Sequence, residues 1–215
     1  LAKAEKNKSS RNPLEYQLAK AAIGRYSRYK QRDFQPTDPL AAQYRQALDA
    51  ERRYDRATLA TLLPSLPVDK NAAFARLHGE QALADGDNSK AEEILSKAWQ
   101  RWRNNENLII PYARSLIAVG KYQEAEKLLQ AQIARDPGAV QYYDVYGGLL
   151  DRQQRSAEQF LLSAKYYALI GDYKLAEAQV SRALKDPTLP VNERQKVGNL
   201  QKRYERLKEE AENEK

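Results

Sequence analysis

Gly120-Lys121-Tyr122-Gln123-Glu124-Ala125 decides the fold, because it is one copy of a hexad that returns along the chain. Gly86-Asp87-Asn88-Ser89-Lys90-Ala91 stands 34 residues before it, and Gly171-Asp172-Tyr173-Lys174-Leu175-Ala176 stands 51 residues after it. Thirty-four residues upstream of Gly86 lies Arg52-Arg53-Tyr54-Asp55-Arg56-Ala57, where Tyr and Ala hold register without the glycine. Each copy has a mechanical reason. The glycine permits a left-handed turn between two helices, the aromatic packs across that turn, and the small alanine lets the second helix approach the first closely.

Helical periodicity brackets the hexads, as in Leu116, Ile117, Ala125, Leu128, Leu129 and Ile133, with Asp136-Pro137 closing the unit. A period of 34 with G-x-Y-x-x-A and a terminal proline resembles the tetratricopeptide repeat family over residues 38 to 185. That resemblance implies an all-α, right-handed superhelical solenoid of helix pairs. Repeats are expected at about 38–71, 72–105, 106–139 and 140–185, with Gly79 and Ala113 at the small-residue positions of their first helices. The interval of 51 is one and a half repeats, so the last unit should contain an odd helix: 140–153, 157–170 and 172–185 read as three consecutive helices. Around this 35–190 array we expect a flexible basic N-terminus at 1–11, an amphipathic lead-in helix at 12–34 and a charged C-terminal helix at 191–215. Pro36, Pro39, Pro64, Pro67, Pro137, Pro187 and Pro190 fall between these helices, as the missing N–H of proline requires.

Charge is concentrated at one end. Residues 1–34 hold nine Lys or Arg against three acids, residues 35–190 carry twenty of each sign, and the whole chain nets +7. The basic segment Arg25, Arg28 and Lys30, interleaved with Tyr26 and Tyr29, could contact nucleic acid. Packing of that helix against the first repeat is the preferred reading. Trp99 and Trp102 are likewise read as helix-packing aromatics. No apolar run approaches the roughly 20 residues a bilayer demands, so no transmembrane segment is expected.

Catalytic chemistry finds little support. The chain has no Cys and a single histidine, His78, so neither a two-histidine HExxH zinc site nor a cysteine nucleophile can be assembled from it, and no Ser or Thr has a plausible histidine partner except through that one residue. No catalytic or metal-ligating residue is assigned. His78 is expected to pack between helices, and the Gly147-Gly148 pair lacks the preceding strand and following Gly-Lys of a phosphate loop.

Two stretches carry a narrower likeness. Asn12-Pro13-Leu14-Glu15-Tyr16-Gln17-Leu18-Ala19-Lys20-Ala21, and Ser163-Ala164-Lys165-Tyr166-Tyr167-Ala168-Leu169-Ile170-Gly171-Asp172-Tyr173 with Ala176, Gln179, Ala183 and Leu184, resemble the C-terminal region of bacterial periplasmic zinc metallopeptidases of the β-barrel assembly-enhancing type. The resemblance implies a tail without catalytic residues, whose zinc and HExxH motif would belong to a preceding domain absent from this sequence. It further implies a periplasmic location and contact with outer-membrane assembly machinery or its substrates. A free-standing adaptor, with the cytoplasm as its compartment, is the alternative. The first-helix positions that hold ligands in tetratricopeptide proteins fall by resemblance on Gln46, Asp49, Arg76, Glu80, Asn107, Ile110, Arg114, Ile117, Gln141 and Asp144, with Arg76 and Arg114 as carboxylate anchors for a protein or peptide.

Overall fold

The computed structural model describes residues 13–23, 36–103 and 105–213. The basic patch Arg25, Arg28 and Lys30, residues 1–11 and the second half of the expected lead-in helix lie outside these residues. Among the described residues every regular element is helical, and the helices pack in consecutive pairs. The chain is thus all-α, in two compact units, Leu1–Leu108 and Ile109–Lys215.

In the first unit, α1 (Pro13–Ile23) precedes α2 (Pro39–Arg52), α3 (Arg56–Leu62), a 3-10 turn (Leu63–Ser65), α4 (Ala72–Ala84) and α5 (Asn88–Arg101). Helix starts are written locally. Asp38, Asp55, Asn71 and Asp87 each place a side-chain oxygen on a free backbone N–H of the first turn, at 2.8 Å for Asp38 to Leu40 and for Asn71 to Ala73. Gln17 docks α1 on the entry to α2, accepting from Thr37 N and Asp38 N at 2.7 and 3.0 Å. Leu18, Tyr44, Leu48, Leu59, Leu66, Phe74 and Leu77 form the core beneath, with the Tyr44 and Phe74 rings tilted and 5.7 Å apart. His78 takes its expected structural place: its Nε2 lies 2.9 Å from the carbonyl oxygens of both Leu63 and Leu66, and donates to them to hold the 3-10 turn against α4. Gly79 is required by packing, since a β-carbon there would lie 2.6 Å from both methyls of buried Leu95.

The second unit begins inside α6 (Glu106–Ala118) and continues through α7 (Tyr122–Arg135), α8 (Val140–Arg152), α9 (Ser156–Leu169), α10 (Tyr173–Lys185), a 3-10 turn (Val191–Glu193) and α11 (Arg194–Asn213). Ala157, Ala164, Ala176, Val180, Val197 and Tyr204 form the seam of the last three helices. Thr188 ties the loop before α11 to the start of α9 by accepting from Ala157 N at 2.9 Å.

Among the described residues five turns share one backbone pattern. Tyr54, Gly86, Gly120, Gln154 and Gly171 all have positive φ, between 56° and 81°. In each, the next residue's N–H returns to a carbonyl five positions back, as in Asp87 to Ala82 and Arg155 to Leu150, both at 2.9 Å. The turn at Gln154 continues the 34-residue step from Gly120, and Gly171 follows after only half a period. Helix α9 therefore has such a turn at both ends and is the odd helix of the array.

The same pattern corrects the register of the first repeat. The left-handed residue is Tyr54, 32 residues before Gly86, rather than Arg52. Leu59, buried to 3%, then takes the place of buried Ala91, whereas Ala57 is exposed. The spacing differs because α3 is only seven residues long and gives way to the 3-10 turn at Pro64.

Candidate partner-binding face

On α6, Asn107, Ile110, Arg114 and Ile117 recur every three or four residues and so occupy one stripe. Asn107 and Arg114 are exposed, Ile110 is half-buried and Ile117 is 7% exposed. The opposite side holds Leu108, Ile109, Ala113 and Leu116, all buried. Pro111 sits within this helix and has no N–H to give the Asn107 carbonyl. On α8, Gln141 and Asp144 are exposed, while Tyr142, Tyr143, Val145, Tyr146, Leu149 and Leu150 are buried. In the second unit the anticipated residues thus divide, with half-buried Ile110 between the two groups. Arg114, Gln141 and Asp144 face solvent, and Ile117 belongs to the core side.

In the first unit, Gln46 is exposed on α2, and Asp49 pairs with Arg52 at 3.0 Å on the same helix. Arg76 and Glu80, one turn apart on α4, form an ion pair, and the Arg76 side chain is only 12% exposed. Burial works against the Arg76 charge, but Glu80, the Tyr44 hydroxyl and Glu51 outweigh it and raise its pKa. Arg76 is thereby engaged inside its own unit, while Arg114 lies in the other. The two anchors are dissimilar: one is built into the packing of α4, the other projects from α6.

A second polar constellation has no counterpart in the sequence reading. The Arg155 guanidinium, at the start of α9, donates to Glu126 Oε2 and Oε1 at 2.8 and 3.0 Å and to Glu158 Oε1 and Oε2 at 2.7 and 2.6 Å. Tyr146 donates to Glu126 Oε1 at 2.6 Å and accepts from Gln130 at 2.8 Å. The hydrogen bonds that Arg155 donates to Glu158 and Glu126 raise its pKa. The Arg155 bond in turn holds the Glu126 carboxyl below its ordinary value, against burial. Burial, with Glu126 beside it, pushes the Tyr146 phenol up to about 12. The network fastens α7, α8 and α9 together across the Gln154 turn. Its members are spread over positions 126–158 in no regular spacing, so only their assembly in space reveals them.

Trp99 is half-buried on α5, and Trp102 lies just past the helix end beneath Arg101, whose guanidinium carbon is 5.2 Å from the ring centre. Among the described residues no group of His, Asp or Glu could hold a metal ion. His78, the one imidazole, is committed to two carbonyls, so the zinc of the resembled peptidases does not fit these residues. Among the described residues no helix is long and apolar enough to cross a membrane.

Residues 82–149 match the family model of the tetratricopeptide repeat. The matched stretch runs from the end of α4 to α8. A tetratricopeptide repeat protein from Parabacteroides merdae, known from a crystal structure, is 15% identical, with a TM-score of 0.49 over 94% of this chain and 89% of that chain. No curated protein matches this chain.

Proposed function

We propose that this chain is a protein-interaction scaffold that holds a partner segment on the exposed first-helix stripes of α6 and α8. Tetratricopeptide domains bind proteins or peptides. The observation that carries the reading is the set of exposed polar side chains Arg114, Gln141 and Asp144 on helices whose other sides are buried. Such a face offers fixed charge on a rigid support, which lowers the ordering entropy of binding. Arg114 is the anchor for a carboxylate, Ile110 gives it an apolar neighbour one turn away, and Asp144 and Gln141 select the polar groups that follow. Arg76 and Glu80 shape and stiffen α4 within the first unit, and Asn107 lies on the same stripe of α6 as Arg114.

On the narrower reading, the scaffold is the interaction arm of a periplasmic zinc metallopeptidase and presents outer-membrane proteins, or the machinery that assembles them, to a catalytic domain. The motifs at 12–21 and 163–176 support it, together with the odd helix α9 ahead of the Gly171 turn.

A photo-crosslinking amino acid placed at Arg114, Gln141 or Asp144 should capture a discrete partner in cells, and one at exposed Lys127 of α7 should not. Equal capture from Lys127 would sink the assignment of the face. Recovery of the adduct in the osmotic-shock fraction with an outer-membrane assembly component supports the narrower reading; recovery only in the cytosol refutes it and leaves a cytoplasmic adaptor.

A further inference from the structure

Among the described residues three of the five left-handed turns are filled by glycine and a fourth by Gln154, which precedes Arg155. The fifth is filled by Tyr54, with φ +56° and 91% exposure. The left-handed conformation is strained for an L-residue with a β-carbon, and an exposed aromatic ring recovers nothing by packing. Among the described residues the Tyr54 ring touches no other ring and its hydroxyl makes no hydrogen bond; only its backbone is bonded, to Glu51 and Arg56. Folding gains nothing from tyrosine here.

The charges around the ring are arranged to match. Arg52 is paired with Asp49 at 3.0 Å, but Arg53 and Arg56 are exposed and have no ion pair among the described residues. The acid at the tip, Asp55, is exposed, but both its oxygens are engaged as the cap of α3: it accepts from Thr58 N at 3.0 Å and from Thr58 Oγ1 at 2.6 Å, and these bonds, with a smaller contribution from the Arg53 charge, lower its pKa. The turn therefore exposes one aromatic ring, an arginine on either side of it in the chain, and an acid already engaged as a cap. Backbone bonds from Arg53, Tyr54 and Asp55 to the end of α2 hold the turn in place.

We propose that the α2–α3 turn is a second docking point, at which Tyr54, Arg53 and Arg56 receive an acidic, partly apolar segment of a partner protein. Tyrosine and arginine are the side chains that most often dominate interface energies. The planar arginine fork matches a carboxylate in two parallel hydrogen bonds. Two cations and one ring are too short a track for a phosphodiester backbone, which is followed by a continuous basic groove. The site is independent of the α6 and α8 face.

The test titrates the full chain into a fluorescein-labelled 15-residue peptide of repeating Asp-Glu-Leu, and into a labelled oligothymidylate of the same length, with anisotropy as the readout. The peptide should bind saturably. Its affinity should fall at least tenfold for Tyr54→Gly and for Arg53→Gln with Arg56→Gln. Tyr54→Gly should also melt higher than the parent by roughly 2–4 °C, because its backbone strain is gone. Binding lost in a more stable variant cannot be blamed on misfolding. The proposal is overturned if the peptide does not bind, if Tyr54→Gly binds it as well as the parent, or if Tyr54→Gly melts lower. Tighter binding of oligothymidylate with the same dependence on Tyr54 also overturns it, in favour of single-stranded nucleic acid.

Discussion

Gly79→Ala adds one methyl group where α4 meets α5, and two opposing terms decide its sign. Alanine in a helix interior is favoured over glycine by about 1 kcal/mol. Against this, the new carbon would lie 2.6 Å from Cδ1 and Cδ2 of Leu95, well inside van der Waals contact. Leu95 is fully buried and cannot swing into solvent, so the helices must part or the leucine must leave its rotamer. Overpacking of this kind costs about 1–3 kcal/mol. With no free volume to absorb the methyl, the steric term takes the upper part of its range, and the net loss is about 1–2 kcal/mol. Urea unfolding followed by far-UV circular dichroism should show a lower midpoint at unchanged slope. Gly148→Ala is the internal control: its added carbon meets nothing within 4 Å, so the same exchange on α8 should stabilise by about 1 kcal/mol. Leu95→Ala alone should cost about 2–5 kcal/mol. Combined with Gly79→Ala it should cost less than the two singles together by about 1 kcal/mol, because the new methyl enters the vacated space. Stabilisation by Gly79→Ala, or strict additivity with Leu95→Ala, would refute close approach as the reason for the glycine.

Two further predictions concern the turns and the polar network. Gln154→Gly should raise stability and Gly120→Ala should lower it, each by about 1 kcal/mol, since both positions are left-handed and a β-carbon at Gly120 meets no neighbour; thermal melts of the two variants should move in opposite directions. The Glu126 carboxyl is held below 4.5, chiefly by Arg155, so its contribution to stability is complete above that pH and fades as pH falls through the lowered value. Glu126→Gln should therefore lose about 2 kcal/mol at neutral pH and converge on the parent in acid, as urea titrations from pH 7 to pH 3 would show; a constant gap across that range would contradict the linkage.

The hexad was legible because its residue types have single purposes. Glycine at 86, 120 and 171 adopts φ of 79–81°, and Ala91, Ala125 and Ala176 are each fully buried, as a small residue at a helix crossing must be. The turn at Gln154 was not legible, because neither glycine nor alanine remains at its hexad positions; its helix-terminal hydrogen bonds keep it in register instead. The first repeat was misread by two residues because Ala57 mimics the hexad alanine while Leu59 does its work.

The anticipated binding residues show the same division. Sequence spacing put Arg114, Gln141 and Asp144 on outward stripes, and they are exposed. It could not tell Arg114 from Arg76, whose side chain is enclosed with Glu80. Nor could it find the Arg155 network, whose partners come from three helices.

By itself, then, the sequence determined the local matters: helix caps at Asp38, Asn71 and Asp87, left-handed turns at glycine, and the period that pairs one helix with the next. These follow from φ preferences and hydrogen bonds within a few residues, which do not depend on distant partners. Tertiary structure decided which charges are spent on packing and which remain exposed. That choice depends on burial and on contacts between residues far apart in the chain, and a spacing rule carries no information about either.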